Sequence, residues 1–399
     1  MATFSSVHDS SDHLALVMGG GGARSAYQVG VLRSIARRHP RLATPILTGV
    51  SAGAINTAYL ASDQGEFAQK LERMREHWLS LTTDRVFRSD SASLLRIASR
   101  WGLRLISGGK HLTPQPRGMV DTTPLREFLN ETLQCADGAL PGIAENLRRR
   151  ALHAVAVTTT DYATGRSVTH VQSNGAPMWT RPHRISIEAP LTIDHVMASA
   201  ALPLFFPAVK VGESWHGDGG VGLTAPLSPA LHLGAERILA ISTRYERTTV
   251  DASLPATNGY PPPAQVVGLM FNAVFLDLLD QDAMNLDRIN RLIDSAPMEQ
   301  RMGLRPVRLM LLRPSRNLST LAGQFEPRLP QPFKFLMRGT GTKDTKSPES
   351  LSMVMFEPHY IRSVIELGEE DGDRRAEEID AFLVGEHRPG MMVTGFWRV

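Results

Sequence analysis

Twice within fifty residues an apolar run breaks at glycine and continues as a helix-forming stretch. LALVM, from Leu14, runs into Gly19–Gly22 and then into ARSAYQVGVLRSIARR, whose apolar residues recur at helical spacing. Pro45 to Val50 repeats the grammar: Ser51 sits at the turn, and Ala52 to Ser62 is rich in helix formers. A strand that passes straight into a helix returns the chain across one face of a sheet, so the next strand lies parallel to the first. The repetition therefore predicts an α/β fold with helices covering a largely parallel sheet.

Further along, the pattern predicts a helix over Phe67–Leu79, a polar loop from Arg85 to Gly118 and a helix over Pro124–Leu133 that opens on proline. Leu152–Thr160 reads as a central strand, with Ser167–Val171 as its neighbour. IDHVMASAALPLFFPAV gives a short helix that must stop before Pro203; a hairpin ending in HGDGG and a strand from Arg237 to Ser242 follow. Beyond Ser242 the character changes. Residues 247–264 read as a loop, Val266–Leu286 as an apolar helix with Phe271, Phe275, Leu278 and Met284 on a core face, and Val307–Leu312 as a strand. Residues 314–350, dense in Pro, Gly, Ser and charge, read as an irregular segment or lid, with helices at Ser352–Leu367 and Arg374–Leu383 after it. The expected organisation is a flexible tail (1–13), a catalytic domain (14–242) and a mostly helical C-terminal extension with a lid (243–399).

Composition sets the class. Of 399 residues, 42% are hydrophobic and 21% charged, which is globular, and a net charge of +3 is too mild to imply a nucleic-acid partner. The single cysteine, Cys135, precludes an internal disulfide and a thiolate metal cage and points to a reducing compartment. The first thirteen residues carry neither a basic nor an apolar targeting region, and no stretch approaches about 18 uninterrupted apolar residues, so nothing is expected to cross a bilayer. The expectation is a cytoplasmic protein that visits a membrane surface peripherally. The sequence leaves its oligomeric state open.

Gly49-x-Ser51-x-Gly53 between strand and helix has the form of a nucleophile elbow, which thrusts Ser51 outward at a helix N-terminus, where developing negative charge is favoured. The early glycines admit three readings. A nucleotide loop would need GxGxxG, but Ser25 stands where the last glycine belongs. A tight structural turn is the second. The third is an oxyanion hole, because main-chain N–H groups without a Cβ beside them are open to approach. For the base, histidines follow Ser51 at 77, 111, 153, 170, 183, 195, 216 and 232, and again at 359 and 387; only His216 and His232 lie near glycine-rich sequence. Asp218, flanked by Gly217, Gly219 and Gly220, would by itself be read as a solvated Asp-Gly turn.

Taken in order, LALVMGGGGARSAYQVGVL, GVSAGAIN, ASAALPLFFP and DGG resemble the patatin-like phospholipase family over Leu14 to Ser242. The resemblance implies a three-layer patatin-like fold and a Ser-Asp dyad: Ser51 as nucleophile, Asp218 as base, and Gly20, Gly21 and Gly22 as oxyanion donors. Gly49, Gly53, Gly219, Gly220 and Arg24 support those motifs, Arg24 by holding the loop or by meeting a phosphate, with a plain surface role as the other reading. One departure is Ser25, where many members have glycine, which bears on helix packing. Near the end, MVMFEPHYIRSVIELG resembles a segment of some bacterial members. The implied activity is hydrolysis of phospholipids or other acyl esters through an acyl-enzyme. An exposed Asp has a pKa near ~3.9 and is a poor base; the apolar run Ala201–Pro207 could shield it and receive an acyl chain. The alternatives are an acyltransferase, which ordinarily carries a histidine base, and a catalytically idle membrane-binding module of the same fold. No cofactor or metal is expected, since no His/Asp/Glu cluster has ligand spacing.

Overall fold

The computed structural model describes residues 13–107, 117–245, 259–275, 277–345 and 348–385, with 253 and 257 as isolated positions. The proposed tail, much of the 247–264 loop and the Phe275 side chain lie outside the described residues. Ten strands form one mixed sheet: β1 (Leu14–Met18), β2 (Ile46–Val50), β3 (Ala154–Asp161), β4 (Ser167–Ser173), β5 (Thr180–Arg181), β6 (Arg184–Glu188), β7 (Val209–Val211), β8 (Ser214–Asp218), β9 (Arg237–Ile241) and β10 (Arg308–Leu312). Their order is β10-β9-β1-β2-β3-β4-β6-β5, with β8 pairing with both β3 and β7. From β10 to β3 every neighbouring pair is parallel; beyond β3 the sheet is mixed, since β4 pairs antiparallel with β3 and parallel with β6.

The five strands of the parallel half are buried almost throughout, as expected where helices cover both faces. On one face, Ala26–Arg38 and Ala52–Ser62, the helices predicted from the opening repeat, pack with Phe67–Leu79 and Pro358–Arg374. Ala26–Arg38 and Pro358–Arg374 meet where both are small: a Cβ on Gly30 would strike the Ile365 carbonyl, and one on Gly368 the Tyr27 carbonyl. On the other face lies Asp277–Ser295, which buries Leu279, Ala283, Leu286 and Ile293. Its buried stripe is shifted from the expected one, because Leu278 and Met284 are only half-buried. Asn290 caps the start of β10 by bonding both the N–H and the carbonyl of Val307 (3.0 and 2.8 Å).

Four expectations are corrected. The stretch read as a loop from Arg85 to Gly118 contains the helix Ser91–Ile106, whose arginines and serines disguise an amphipathic pattern that leaves Leu95, Leu103 and Ile106 exposed. Residues 314–350 are not irregular: they hold Leu318–Phe325, Gln331–Gly339 and the start of Glu349–Met353. The prolines there sit at or just before helix starts, where a missing N–H is harmless. The long helix near the end begins at Pro358 rather than Ser352 and runs to Arg374. Finally, the helical region read as Val266–Leu286 runs from Pro263 to Ser295; by length and composition alone it is long and apolar enough to cross a membrane, but its second half packs on the sheet.

Candidate active site

The register of three strands brings the two sequence-predicted catalytic side chains together. Val50, the last residue of β2, pairs with Thr158, and the next residue of β3, Thr159, pairs antiparallel with Asp218 at the end of β8. Ser51 follows Val50 directly, so serine and aspartate emerge side by side at one edge of the sheet. Ser51 Oγ donates to Asp218 Oδ2 at 2.6 Å.

Ser51 has φ 57° and ψ −135°, the left-handed backbone that an elbow imposes on a residue with a Cβ. The turn is possible because the first turn of the following helix presses against the preceding loop: a Cβ on Gly53 would lie 2.5 Å from the Gly19 carbonyl oxygen and closer still to that of Met18. Ser51 N–H donates to Ser199 Oγ (3.0 Å), and Ser199 Oγ donates in turn to the Thr158 carbonyl (2.6 Å).

Asp218 is completely buried. Its other oxygen, Oδ1, accepts from Gly220 N–H at 2.9 Å. Its main chain is fixed by Thr160 Oγ1, which donates to its carbonyl (2.8 Å), and by the Ala201 carbonyl, which accepts from its N–H (3.1 Å). Burial raises the carboxyl pKa to about 7, against the opposing hydrogen bonds from Ser51 and Gly220. The cause is loss of water around a charge that no cation neutralises.

Gly20 lies beside Ser51, since a Cβ there would come within 2.8 Å of Ser51 Cβ. Among the described residues no acceptor lies within hydrogen-bonding geometry of the Gly20 or Gly21 N–H. Gly22 has φ 57° and no space for a side chain, because the Met353 carbonyl occupies that position. Arg24 is buried and turned into the protein: its Nη2 meets Glu349 Oε2 and the Glu349 carbonyl, each at 2.7 Å, and its Nε meets Ser352 Oγ at 2.7 Å. Ser25 is fully buried, its hydroxyl without a hydrogen-bond partner and its carbonyl accepting from Asn56 Nδ2 (3.2 Å).

A narrow apolar slot leads away from Ser51 between the helices Ala52–Ser62, Phe67–Leu79 and Thr123–Thr132. Leu202 and Phe206 of the shielding run form part of its wall, as do Met353 and Phe356 from the C-terminal third. Among the described residues no histidine is hydrogen-bonded to Ser51 or Asp218, although His77 lines the slot; His111 and His387 lie outside the described residues. His170, His195 and His216 cluster beneath β8, with Thr159 Oγ1 bridging His170 Nε2 (3.0 Å) and His216 Nδ1 (2.9 Å), while His153 stacks on His13 and His232 on Trp179. Burial lowers the pKa of His170 to about 2 and that of His195 to about 4, so both are neutral imidazoles. Among the described residues no group of three or more His, Cys, Asp or Glu could hold a metal ion.

Ser199 and Thr160 were not singled out by sequence reasoning. Ser199 stands inside ASAALPLFFP, where the apolar residues drew the reading and the serine did not.

The family described as patatin-like phospholipase matches residues 16–231, more than half of the chain. No curated protein matches. Among solved structures, human GIVD cytosolic phospholipase A2 is similar at 15% identity and a TM-score of 0.44, covering 94% of this chain and 59% of that one. VipD from Legionella pneumophila is similar at 13% identity and a TM-score of 0.30, covering 88% of this chain and 67% of that one. ExoU from the type III secretion system of Pseudomonas aeruginosa, in complex with SpcU, is similar at 15% identity and a TM-score of 0.26, covering 84% of this chain and 59% of that one. The chain thus spans about 59% of the length of the human phospholipase. By its match to the family over residues 16–231, the chain belongs to the patatin-like phospholipases.

Proposed function

We propose that the protein is a serine lipid acyl hydrolase that cleaves acyl ester bonds of phospholipids or related lipids. One observation carries the reading: the 2.6 Å hydrogen bond from Ser51 Oγ to a fully buried carboxylate, with no histidine between them. A carboxylate with a pKa near 7 is matched to proton transfer at neutral pH, whereas an ordinary aspartate is too weak a base.

In the proposed cycle Asp218 takes the Ser51 proton as Oγ attacks the ester carbonyl. The carbonyl oxygen becomes an oxyanion held by N–H groups of Gly20, Gly21 and Gly22. Collapse expels the alcohol, which recovers the proton from Asp218, and leaves the acyl chain on Ser51 in the apolar slot. Water, deprotonated by Asp218, then attacks the acyl-enzyme; collapse releases the fatty acid and returns the proton from Asp218 to Ser51 Oγ. Arg24 holds the oxyanion loop rather than a phosphate, since its donors are committed to Glu349 and Ser352. Residues 14–242 are the catalytic unit in this reading, and the segment after 242 supports it by closing the slot. The enzyme meets its substrate at a membrane surface as a peripheral protein.

The test is fatty-acid release from a short-chain phosphatidylcholine and from a short-chain ester by wild type, Ser51→Ala and Asp218→Asn. Wild-type turnover with loss of about 10³-fold or more in both variants supports the dyad. Equal background rates in all three would sink the hydrolase reading and leave the idle membrane-binding fold. Acyl transfer to an added alcohol faster than release to water would instead favour the acyltransferase.

A further inference from the structure

We infer that the far end of the acyl slot is a partition one side chain thick, built on Phe128, and that this partition makes the enzyme selective for short acyl chains. The inference rests on the reading of Ser51 as the acyl-bearing residue. The slot has a cavity volume of about 60 Å³. Beside it, sharing part of its lining, lies a larger open cleft of about 1130 Å³ whose walls mix apolar surface with the charged groups of Asp63, Arg73 and Glu131.

Tyr59, His77, Phe128, Thr132 and Leu133 line both spaces. A residue that faces two cavities is all that separates them. The three rings form a continuous screen: Tyr59 meets His77 edge-on at 5.3 Å between centroids, and His77 meets Phe128 edge-on at 6.3 Å. From the polar side, the Arg85 guanidinium lies 5.0 Å from the centre of the Phe128 ring, which pins that ring as the screen's outer panel. His77 belongs in such a wall as a neutral ring, since burial lowers its pKa.

The chemistry of the two sides differs, and that difference produces selectivity. A short acyl chain on Ser51 ends within apolar walls. A longer one must displace Phe128 and drive its methylenes into an open space whose walls carry charged groups, losing apolar burial with each CH₂ that passes the screen. Specificity for short chains follows without any residue that recognises chain length directly.

The test is kcat/KM for p-nitrophenyl esters of saturated acids from four to twelve carbons, each below its micellar concentration, with wild type, Phe128→Ala and Phe128→Leu. Wild type should favour the four-carbon ester over the twelve-carbon one, and the ratio of the twelve-carbon to the four-carbon value should rise at least tenfold in Phe128→Ala and by less in Phe128→Leu. An unchanged ratio in both folded variants would overturn the partition. The same series is measured without catalysis, as displacement of a fluorescent fatty acid by saturated acids of graded length from the Ser51→Ala protein with and without Phe128→Ala. A shift toward longer acids there upholds the partition even if wild type hydrolyses no ester, which would be a failure of the proposed function alone; no shift overturns it.

Discussion

The main-chain N–H of Ser51 is bonded at 3.0 Å to the hydroxyl of Ser199, 148 positions later in the chain. Through that hydroxyl the strained elbow is fastened to Thr158 of β3, the strand whose next residue is paired with Asp218. Ser51 and Asp218 are therefore aligned by one hydroxyl as well as by the sheet register.

Ser199→Ala should separate alignment from binding. The substitution leaves a buried N–H and a buried carbonyl without this partner, a penalty of about 1–3 kcal/mol per orphaned group. We expect kcat to fall about tenfold or more with KM nearly unchanged, together with a lower Tm. A fall in Tm with kcat intact would reduce Ser199 to a purely structural residue.

Asp218 should show opposite pH dependences for rate and for stability. As a base it must be ionised, so kcat/KM should rise with pH through about 7 and level off above it. Its pKa is raised by folding, so the native state holds more protons than the unfolded chain between roughly pH 4 and 7, and its stabilising contribution is present below that window and lost as pH rises through about 7. Asp218→Asn removes the buried charge. It should unfold at a higher temperature than wild type at pH 8, while the two converge near pH 4; identical Tm differences at both pH values would contradict a carboxylate destabilised by burial.

The histidine cluster acts in the other direction. His170 and His195 have pKa values lowered by burial to about 2 and about 4, so the unfolded chain binds protons that the native state refuses below about pH 6.5. Their contribution to stability is complete at neutral pH and is lost as the solution is acidified. His216→Ala should weaken the Thr159 bridge and lower Tm yet keep kcat within a fewfold of wild type, because no bond links His216 to Ser51. Loss of turnover in a folded His216→Ala protein would restore a histidine base and remove the dyad.

What the sequence made legible is what short-range pattern encodes. The glycine that ends β1 and the serine that ends β2 each mark a strand-to-helix turn within one local window, and that was enough to predict the parallel half of the sheet. The edge beyond β3 was harder, because Arg184–Glu188 is mostly exposed and lacks a buried strand's continuous apolar run. The helices after Leu318 were misread for a related reason: each is short, and its proline lies at the start, where the same residue that breaks a helix can begin one. Contacts such as Ser51–Ser199 and Arg24–Glu349 join positions far apart in sequence, so no local pattern could announce them.

Arg24 and Glu349 make the last of these contacts a test of the C-terminal third. Both side chains are nearly inaccessible, and Ser319 Oγ also bonds the Glu349 carboxylate, so the pair ties the 3-10 turn after the oxyanion glycines to two helices more than 290 residues away. A buried pair is weak evidence of net stabilisation, but removing one partner strands the other charge in an apolar interior at about 3–5 kcal/mol. Glu349→Leu should therefore lower Tm sharply and reduce kcat, since the turn bearing Gly20–Gly22 loses its carboxylate anchor to the helix Glu349–Met353. Adding Arg24→Met to Glu349→Leu removes the stranded charge, and the double variant should recover most of the lost Tm. If the two substitutions are instead simply additive in Tm, the pair is not coupled. Recovery of Tm without recovery of kcat would show that the pair places the glycine turn as well as holding the chain together.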